Sequence, residues 1–245
     1  MAEGLVLNFF SGSQFLGAYL GHQEELAAWV KSHVELWDHR GRFLGKISQQ
    51  HSKLAYAGLG MLLQLKCQYL QRNVPRVGTL MGPIVEALRE KFFPALFGGE
   101  EINADIRKIL YHTVKHGGLG ILDPRLSVNS EYNTSKADSR ELVDSLLGGT
   151  ALNCVGHRAC VRGTSEGARK EKKHDKMVEL DIQKEISGDQ DRKQLHRATS
   201  NGSWLFSVQH LLNGTELYQE EFRDNIHLRY GLMHQDIPAT CDWLW

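Results

Sequence analysis

The stretch His116-Gly117-Gly118-Leu119-Gly120-Ile121-Leu122-Asp123-Pro124-Arg125 decides how this chain is organised, because helix-like sequence lies on both sides of it. Its three glycines in four positions, followed by an apolar pair and Asp-Pro, are incompatible with a regular helix interior. Glycine permits positive φ angles and close backbone approach, while Pro124 favours an extended Asp123. The stretch therefore predicts a fixed joint between two helical halves, with Leu119 and either Ile121 or Leu122 inserted into a core.

The composition of the 245 residues predicts a globular chain and argues against several functional classes. Lys+Arg and Asp+Glu each total 29, so any site for a polyanion must arise from local clustering and not from net charge. No apolar run is long enough for a membrane span, and the N-terminal residues lack the pattern of a secretory signal. The four cysteines are irregularly spaced. We therefore expect an intracellular protein with reduced thiols.

The spacing of apolar residues predicts a mainly α fold, an irregular multi-helix bundle with a small N-terminal hairpin or pair of strand stubs. Two short apolar runs, Leu5–Phe10 and Phe15–Leu20, flank Ser11-Gly12-Ser13, which is the expected turn. The charged stretch 153–184 is expected to be either a projecting helix or partly frayed. Helices are expected over residues 23–39, 42–50, 53–71, 82 to Pro94, 103–115, 127 or 130 to 147, 189–199 and 218–230.

Capping and breaking residues set several of these boundaries. Ser52 and Asn103 are the expected N-caps of their helices. Pro83 is expected in the first turn of a helix that Pro94 and Gly98-Gly99 end. The helix 53–71 has its predicted apolar positions at Leu54, Ala57, Leu62, Leu65 and Tyr69.

Short segments along the chain resemble, in the same order and spacing, the region after the catalytic palm in LINE-type reverse transcriptases, the enzymes of retrotransposons without long terminal repeats. In that family a basic residue, Gly-Gly-Leu-Gly-Ile and Asp-Pro recur, as they do in the joint. The other resembling segments are Phe15-Leu16-Gly17, Ala55 to Leu59, Gly82 to Glu90, Pro94 to Gly99, Tyr132 to Ser135, Leu146 to Thr150, Asn213 to Leu217 and Leu228 to Leu232.

The resemblance implies a thumb and linker that hold template and primer beside a catalytic domain. It divides the chain into a palm/thumb junction at 1–21, a thumb-like helical half at 22–116, the joint at 117–126, a linker-like helical half at 127–235 and an irregular tail at 236–245. The expected partners are RNA or an RNA–DNA duplex, and a missing palm domain or another protein. No membrane partner is expected.

Two family features are absent from the sequence. Family enzymes hold catalytic metal ions with Tyr-x-Asp-Asp, whereas this chain contains no Asp-Asp pair. Family members continue from a Cys-Asp start into a zinc knuckle, but Cys241 is the only cysteine near that position, and one cysteine cannot form a tetrahedral zinc site. We therefore expect a catalytically inactive fragment of an RNA-directed DNA polymerase, truncated at both ends, with no catalytic residues, no cofactor and no metal. The alternative is a helical protein-interaction module or an inert retroelement relic.

A basic cluster supplies the candidate nucleic-acid-binding residues. Lysine and arginine side chains crowded on one stretch can contact phosphates without reading sequence, and such binding weakens as salt rises. The alternative is a solvated helix face whose charges pair at i,i+4 spacing. The candidates are Arg158, Arg162, Arg169, Lys170 and Lys173.

Four shorter patterns suggest other chemistry, each beside a structural explanation that we favour. Gly163-Thr164-Ser165-Glu166-Gly167 matches a hydrolase nucleophile elbow but lacks the apolar strand that should precede it. Cys154-x-x-His157-x-x-Cys160 offers three metal ligands that a straight helix spreads over about 9 Å. His112 and His116 have zinc-peptidase spacing without the glutamate, and Gly117-Gly118-x-Gly120 lacks the remaining residues of a phosphate loop.

Overall fold

The computed structural model describes residues 12–15, 17–102, 104–114, 117–164, 166–167, 217–230 and 232. Within these ranges the chain is mainly helical and begins with a two-stranded antiparallel sheet, which confirms the predicted fold class. The predicted helix 189–199 and the predicted apolar run Leu5–Phe10 lie outside the described residues.

The described elements have the following bounds in chain order. The strands are β1 (Gly12–Phe15) and β2 (Ala18–Gly21). The N-terminal helices are α1 (Gln23–Gln50), α2 (Ser52–Gly58), a π turn at Leu59–Leu63, α3 (Gln64–Asn73) and a 3₁₀ turn at Val77–Leu80. The later helices are α4 (Gly82–Ala87), a π turn at Leu88–Phe92, α5 (Phe93–Leu96), α6 (Ala104–Leu110), α7 (Val128–Gly148), α8 (154–164) and α9 (Gln219–Tyr230).

The hairpin is present, but its predicted turn is wrong. Gly12 and Ser13 lie inside β1 and pair with Gly21 and Leu20 of β2. The chain reverses instead around Gly17, whose φ of +80° is a conformation that glycine adopts without strain. The residue that supplies the positive φ therefore fixes the turn, and the small polar residues before it extend the strand.

Helix α1 is continuous over 28 residues, so the predicted break between His39 and Arg42 is wrong. Gly41 and Gly45 lie on its buried face, and neighbouring backbone approaches closely at Gly45. A Cβ added to Gly45 would lie 3.1 Å from the carbonyl group of Lys91. One added to Gly41 would meet only side chains, Ala87 at 3.5 Å and Leu63 at 3.8 Å. These glycines allow α4 and the π turn after it to pack tightly against α1.

Two π turns keep buried side chains in register along their helices. Ala55, Leu59, Leu63 and Cys67 recur every four residues and are all buried. In an α-helix three steps of four residues rotate the buried stripe by about 120°, because each residue turns by about 100°. In the π turn at Leu59–Leu63 the backbone hydrogen bonds span five residues instead of four, so the turn holds one extra residue. This extra residue reduces the rotation of the buried stripe by about 100°. The same arrangement recurs at Ile84, Leu88, Phe92 and Leu96.

Three predicted helix ends also differ from the structure. Ser52 does not cap a helix, because its hydroxyl donates to the Ser48 carbonyl and His51 occupies the cap position. Pro94 does not end its helix, since the missing N–H falls just after a π turn and the helix continues to Leu96. Helix α6 ends at Leu110 and not at Lys115, because the chain then turns to bond the joint.

The predicted insertion of the joint into the core is confirmed for Leu119 and Ile121, which are 0% and 2% exposed. Gly117 and Gly120 have φ angles of +87° and +68°. A Cβ on Gly118 would lie 2.0 Å from the carbonyl oxygen of His112, so no other residue fits there. The amide groups of the joint donate to carbonyls of residues 110–114, for example Gly120 to His112 at 2.8 Å.

Side chains from three helices hold the carbonyl groups of the joint, and we call this set the joint clamp. From α2 and α3, Tyr56 donates to Leu119, Gln64 to Gly120 at 3.2 Å and Gln71 to Pro124 at 2.6 Å. From α9, Tyr230 donates to Gly117 at 2.9 Å, and Arg229 donates to Val114 just before the joint. The donors in the joint clamp are Tyr56, Gln64, Gln71, Arg229 and Tyr230.

One hydrophobic cluster includes residues from both sides of the joint. It extends from Val30 of α1 through the joint to Val128 of α7 and Phe222 and Ile226 of α9. Arg223 strengthens this packing by donating to the carbonyls of Ser48 and Gln49 at the end of α1. The predicted division into thumb-like and linker-like halves stays a prediction, but the described parts of both contribute to one core.

Exchange of either buried glycine of α1 for alanine tests the close packing. Gly41→Ala is expected to stabilise the chain by about 0.5–1 kcal/mol, because alanine favours helix and its Cβ meets only side chains, at ordinary van der Waals distance. Gly45→Ala should be at least about 1 kcal/mol less stable than Gly41→Ala, because its Cβ presses on the Lys91 backbone. Urea unfolding of both variants measures the difference, and equal midpoints would contradict the packing described.

Unfolding at alkaline pH tests the joint clamp. Burial raises the pKa of Tyr56 to about 12, so unfolded Tyr56 loses its proton near pH 10 while the folded side chain keeps it. The free energy of unfolding should therefore fall between about pH 10 and pH 12, by roughly 1 kcal/mol per pH unit for this group. The Tyr56→Phe variant should be less stable at pH 7 by about 1 kcal/mol but should lose less stability over that window. Tyr218→Phe, at an exposed side chain, is the control and should follow the unmodified chain.

Candidate functional site

Helix α8 places two of the predicted nucleic-acid-binding residues on one exposed face. Its inner face packs on α7, where the Cys160 thiol donates to the Ala137 carbonyl at 3.5 Å. Arg158 and Arg162 lie four residues apart on the opposite face, and both are exposed. We call this pair the arginine face. The other predicted residues, Arg169, Lys170 and Lys173, lie outside the described residues, so their part of the prediction stays untested.

A cleft lies where α8 meets α3 and α7, and His157 and Val161 of α8 line it. The cleft has a volume of about 410 Å³ and is lined by residues of α3, α7 and α8. Arg72 of α3 pairs with Glu131 of α7 at 3.3 Å beside this contact between helices. Oδ1 of Asp138 and Nδ1 of His157 are buried there without a hydrogen-bond partner among the described residues. The cleft therefore retains unused hydrogen-bonding capacity where α8 meets α7.

The described residues do not assemble the alternative catalytic or metal sites. Cys154 is exposed while Cys160 faces α7, and no group of three potential metal ligands occurs in the described part of the chain. A helix, not a strand, precedes Gly163, which removes the context that a nucleophile elbow requires. His112 lies in a bend after α6 and not on a helix, and the predicted partner His116 lies outside the described residues.

The structure shows an apolar groove that the sequence did not predict, and we call it the α1–α3 groove. It lies between α1, the hairpin and the helix formed by α2, the π turn and α3, and its volume is about 540 Å³. Leu62, Leu65 and Met61 are 64%, 55% and 54% exposed, and Leu36 and Tyr69 are also exposed. The groove is lined by Gln14, Gly17, Trp29, His33, Leu36, Trp37, Arg40, Met61, Leu62, Leu65, Lys66, Tyr69 and Leu70.

Three of the predicted apolar positions of helix 53–71, Leu62, Leu65 and Tyr69, line this groove. Leu54, Leu62, Leu65 and Tyr69 are exposed, whereas a second set of apolar side chains faces the core. The helix is therefore apolar on two faces and buries only one of them, so periodicity alone could not identify the core face. A contiguous exposed apolar surface of this kind marks an interaction site in soluble proteins.

Trp29, His33 and Trp37 form one wall of the groove, and Tyr19 stacks on Trp29 from outside it. Ring centroids are 5.8 Å apart for Tyr19 and Trp29, 4.2 Å for Trp29 and His33, and 5.9 Å for His33 and Trp37. The hydroxyl of Tyr19 donates to Glu25 at 2.8 Å, and this hydrogen bond raises the pKa of Tyr19. The indole N–H of Trp29 is buried without an acceptor among the described residues. Mutual stacking and the hydrogen bond to Glu25 hold this wall in a fixed shape.

Two cationic side chains also line the groove. Arg40 of α1 and Lys66 of α3 contribute to the lining, and no aspartate or glutamate lines it among the described residues. The groove therefore combines an apolar floor with positive charge. A further cavity beneath the joint holds only about 20 Å³, room for one water molecule and not for a ligand. It is lined in part by Cys67, whose pKa burial raises to about 12.

Comparisons with protein-family models, with curated proteins and with solved structures found no match for this chain. The resemblance to LINE-type enzymes therefore rests on the sequence segments alone. Among the described residues, no helix has the length and apolar character that crossing a membrane requires. The arginine face and the α1–α3 groove are the surfaces from which a function can be argued.

Truncation of two neighbouring leucines tests which face of the helix is buried. Leu63 is 3% exposed, so Leu63→Ala should lower the free energy of unfolding by about 2–5 kcal/mol. Leu62 is largely exposed, so Leu62→Ala should change it by less than about 0.5 kcal/mol. Chemical denaturation of both variants measures this. Comparable losses in the two variants would mean that the groove is covered within the free chain.

Proposed function

We propose that this chain is a non-catalytic helical platform that contacts RNA or an RNA–DNA duplex without reading its sequence. The observation that carries the proposal is the pairing of Arg158 and Arg162 on the exposed face of α8. Four residues of helix separate their Cα atoms by about 6 Å, so both guanidinium groups can reach one phosphate backbone. Arginine binds phosphate oxygens through two donors at once, which favours this ligand.

The resemblance to LINE-type enzymes gives this contact a context. In that family the corresponding region guides a duplex beside a palm domain that holds the catalytic metal ions. The sequence contains no Asp-Asp pair, so we assign no polymerase chemistry to its residues. A palm domain or another protein would supply the catalytic centre, and this chain would contribute electrostatic positioning.

Binding of a short fluorescent RNA–DNA hybrid tests the proposal. We expect micromolar binding that weakens as salt rises, and the double variant Arg158→Ala/Arg162→Ala should weaken it about tenfold. The slope of the logarithm of affinity against the logarithm of salt concentration should become shallower by about one to two, because each arginine neutralises about one phosphate. Fluorescence anisotropy at several salt concentrations provides both values.

The control for this experiment is Arg89→Ala, which removes an exposed arginine paired with Glu90 at 3.0 Å. Arg89→Ala lowers the net charge by one unit, as each single α8 variant does, but Arg89 is not part of α8. Equal loss of affinity in Arg89→Ala and in either single α8 variant would indicate general charge attraction and not a defined face. Absence of binding by folded, monodisperse protein would end the nucleic-acid proposal.

A specific observation favours a second candidate function, that of a protein-interaction module. The exposed leucine and methionine side chains of the α1–α3 groove cannot contact phosphates, but they present apolar area that a protein partner would remove from water. The two functions use different surfaces, so one chain can have both.

A further inference from the structure

The α1–α3 groove has the dimensions of a site for one helix. Met61, Leu65 and Tyr69 follow one another every four residues along one wall and extend over about 12 Å. Leu36 and the ring of Trp29 face them from the other side. Two helices form the long walls, so their side chains present ridges and grooves that fit a third helix.

The backbone chemistry of the walls also favours a helical occupant. The amide and carbonyl groups of α1 and α3 are used inside these helices, so an extended peptide would find few backbone partners along them. A helix satisfies its own backbone and needs only side-chain contact. Met61 adds an adaptable side chain of the kind found where apolar helices dock.

The charge of the groove restricts the chemistry of that helix. Arg40 and Lys66 line it, and no carboxylate does among the described residues. A second copy of this groove would bring like charges together, which disfavours self-association through this surface. Bases of a nucleic acid need free aromatic faces to stack on, but Trp37 is buried and Trp29 lies against His33. The most exposed apolar lining residues, Leu62, Leu65 and Met61, are aliphatic. A protein helix with carboxylates beside its apolar face fits both the floor and the charge.

We infer that the α1–α3 groove binds an amphipathic α-helix of a partner protein, and that carboxylates border the apolar face of that helix. Apolar side chains of the partner helix at i, i+4 and i+7 pack against Leu62, Leu65 and Leu36. Its carboxylates pair with Arg40 and Lys66 at the sides. The inference rests on the second candidate function and is independent of the nucleic-acid proposal.

A designed peptide tests the inference on the full chain. The probe is a fluorescein-labelled helical peptide of roughly 16 residues, with leucines at i, i+4, i+7 and i+11 and glutamates on both sides of them. We expect a dissociation constant below about 100 µM by fluorescence anisotropy. A second peptide with every glutamate replaced by lysine should bind at least about tenfold more weakly at low salt, and the difference should shrink as salt rises.

Matched variants locate the peptide on the protein. Leu62→Ser and Leu65→Ser should each weaken binding of the glutamate peptide by about tenfold. Leu54→Ser is the control, because Leu54 is an exposed leucine of α2 that does not line the groove. The double variant Arg40→Glu/Lys66→Glu should reverse the preference between the two peptides. Lys46→Glu, at an exposed lysine of α1 outside the groove, should leave the preference unchanged.

Four outcomes would overturn the inference. The first is absence of binding by the glutamate peptide, and the second is binding that Leu62→Ser and Leu65→Ser do not weaken. The third is displacement of the bound peptide by an RNA–DNA hybrid, which would indicate that nucleic acid binds in the groove. The fourth is a concentration-dependent dimer that Leu62→Ser abolishes, which would indicate that a second copy of the chain occupies the groove. Because Arg158 and Arg162 are unchanged in all these variants, failure here leaves the nucleic-acid proposal intact.

Discussion

The fold depends on satisfying a buried stretch of irregular backbone. The joint at 117–126 cannot pair its carbonyl groups as a helix or sheet would, yet Leu119 and Ile121 draw it into the core. Each buried carbonyl without a donor would cost about 1–3 kcal/mol. Tyrosine and glutamine side chains from α2, α3 and α9 supply those donors, so sequence far from the joint determines whether it can be buried.

This arrangement links the joint to the surfaces with proposed functions. The helix that carries Tyr56, Gln64 and Gln71 toward the joint carries Met61, Leu62 and Leu65 on its other side. The joint clamp therefore fixes the rotation of the wall of the α1–α3 groove. Arg72 of the same helix pairs with Glu131 of α7, and α8 packs on α7. The position of α3 therefore also affects the direction in which the arginine face points.

The sequence predicted the features that depend on a residue's own backbone preference or on its spacing from near neighbours along the chain. Glycine and proline mark the joint and the helix end at Gly98-Gly99, and the regular spacing of Val30, Val34 and Trp37 identifies the core face of α1. The core face of α2 and α3 was not predictable in this way, because that helix is apolar on two sides and a π turn changes its period. The joint clamp was also missed, since Gln64 and Gln71 resemble surface residues until their partners 56 and 53 positions away are known. Two of the five predicted phosphate-binding residues, Arg158 and Arg162, share an exposed face, which local helical spacing alone implies.

The π turn at Leu59–Leu63 also determines where the groove tolerates a change in chain length. The turn accommodates one residue more than an α-helix does, so loss of one residue within it would restore α-helical hydrogen bonding and leave the rest of the helix in nearly the same rotation relative to α2. Leu65 and Tyr69 would still face the groove, whereas loss of one residue between them, in α3, would turn Tyr69 by about 100°. Across a lineage of related chains, single-codon deletions should therefore be tolerated at this turn and selected against within α3, where they would disrupt the groove.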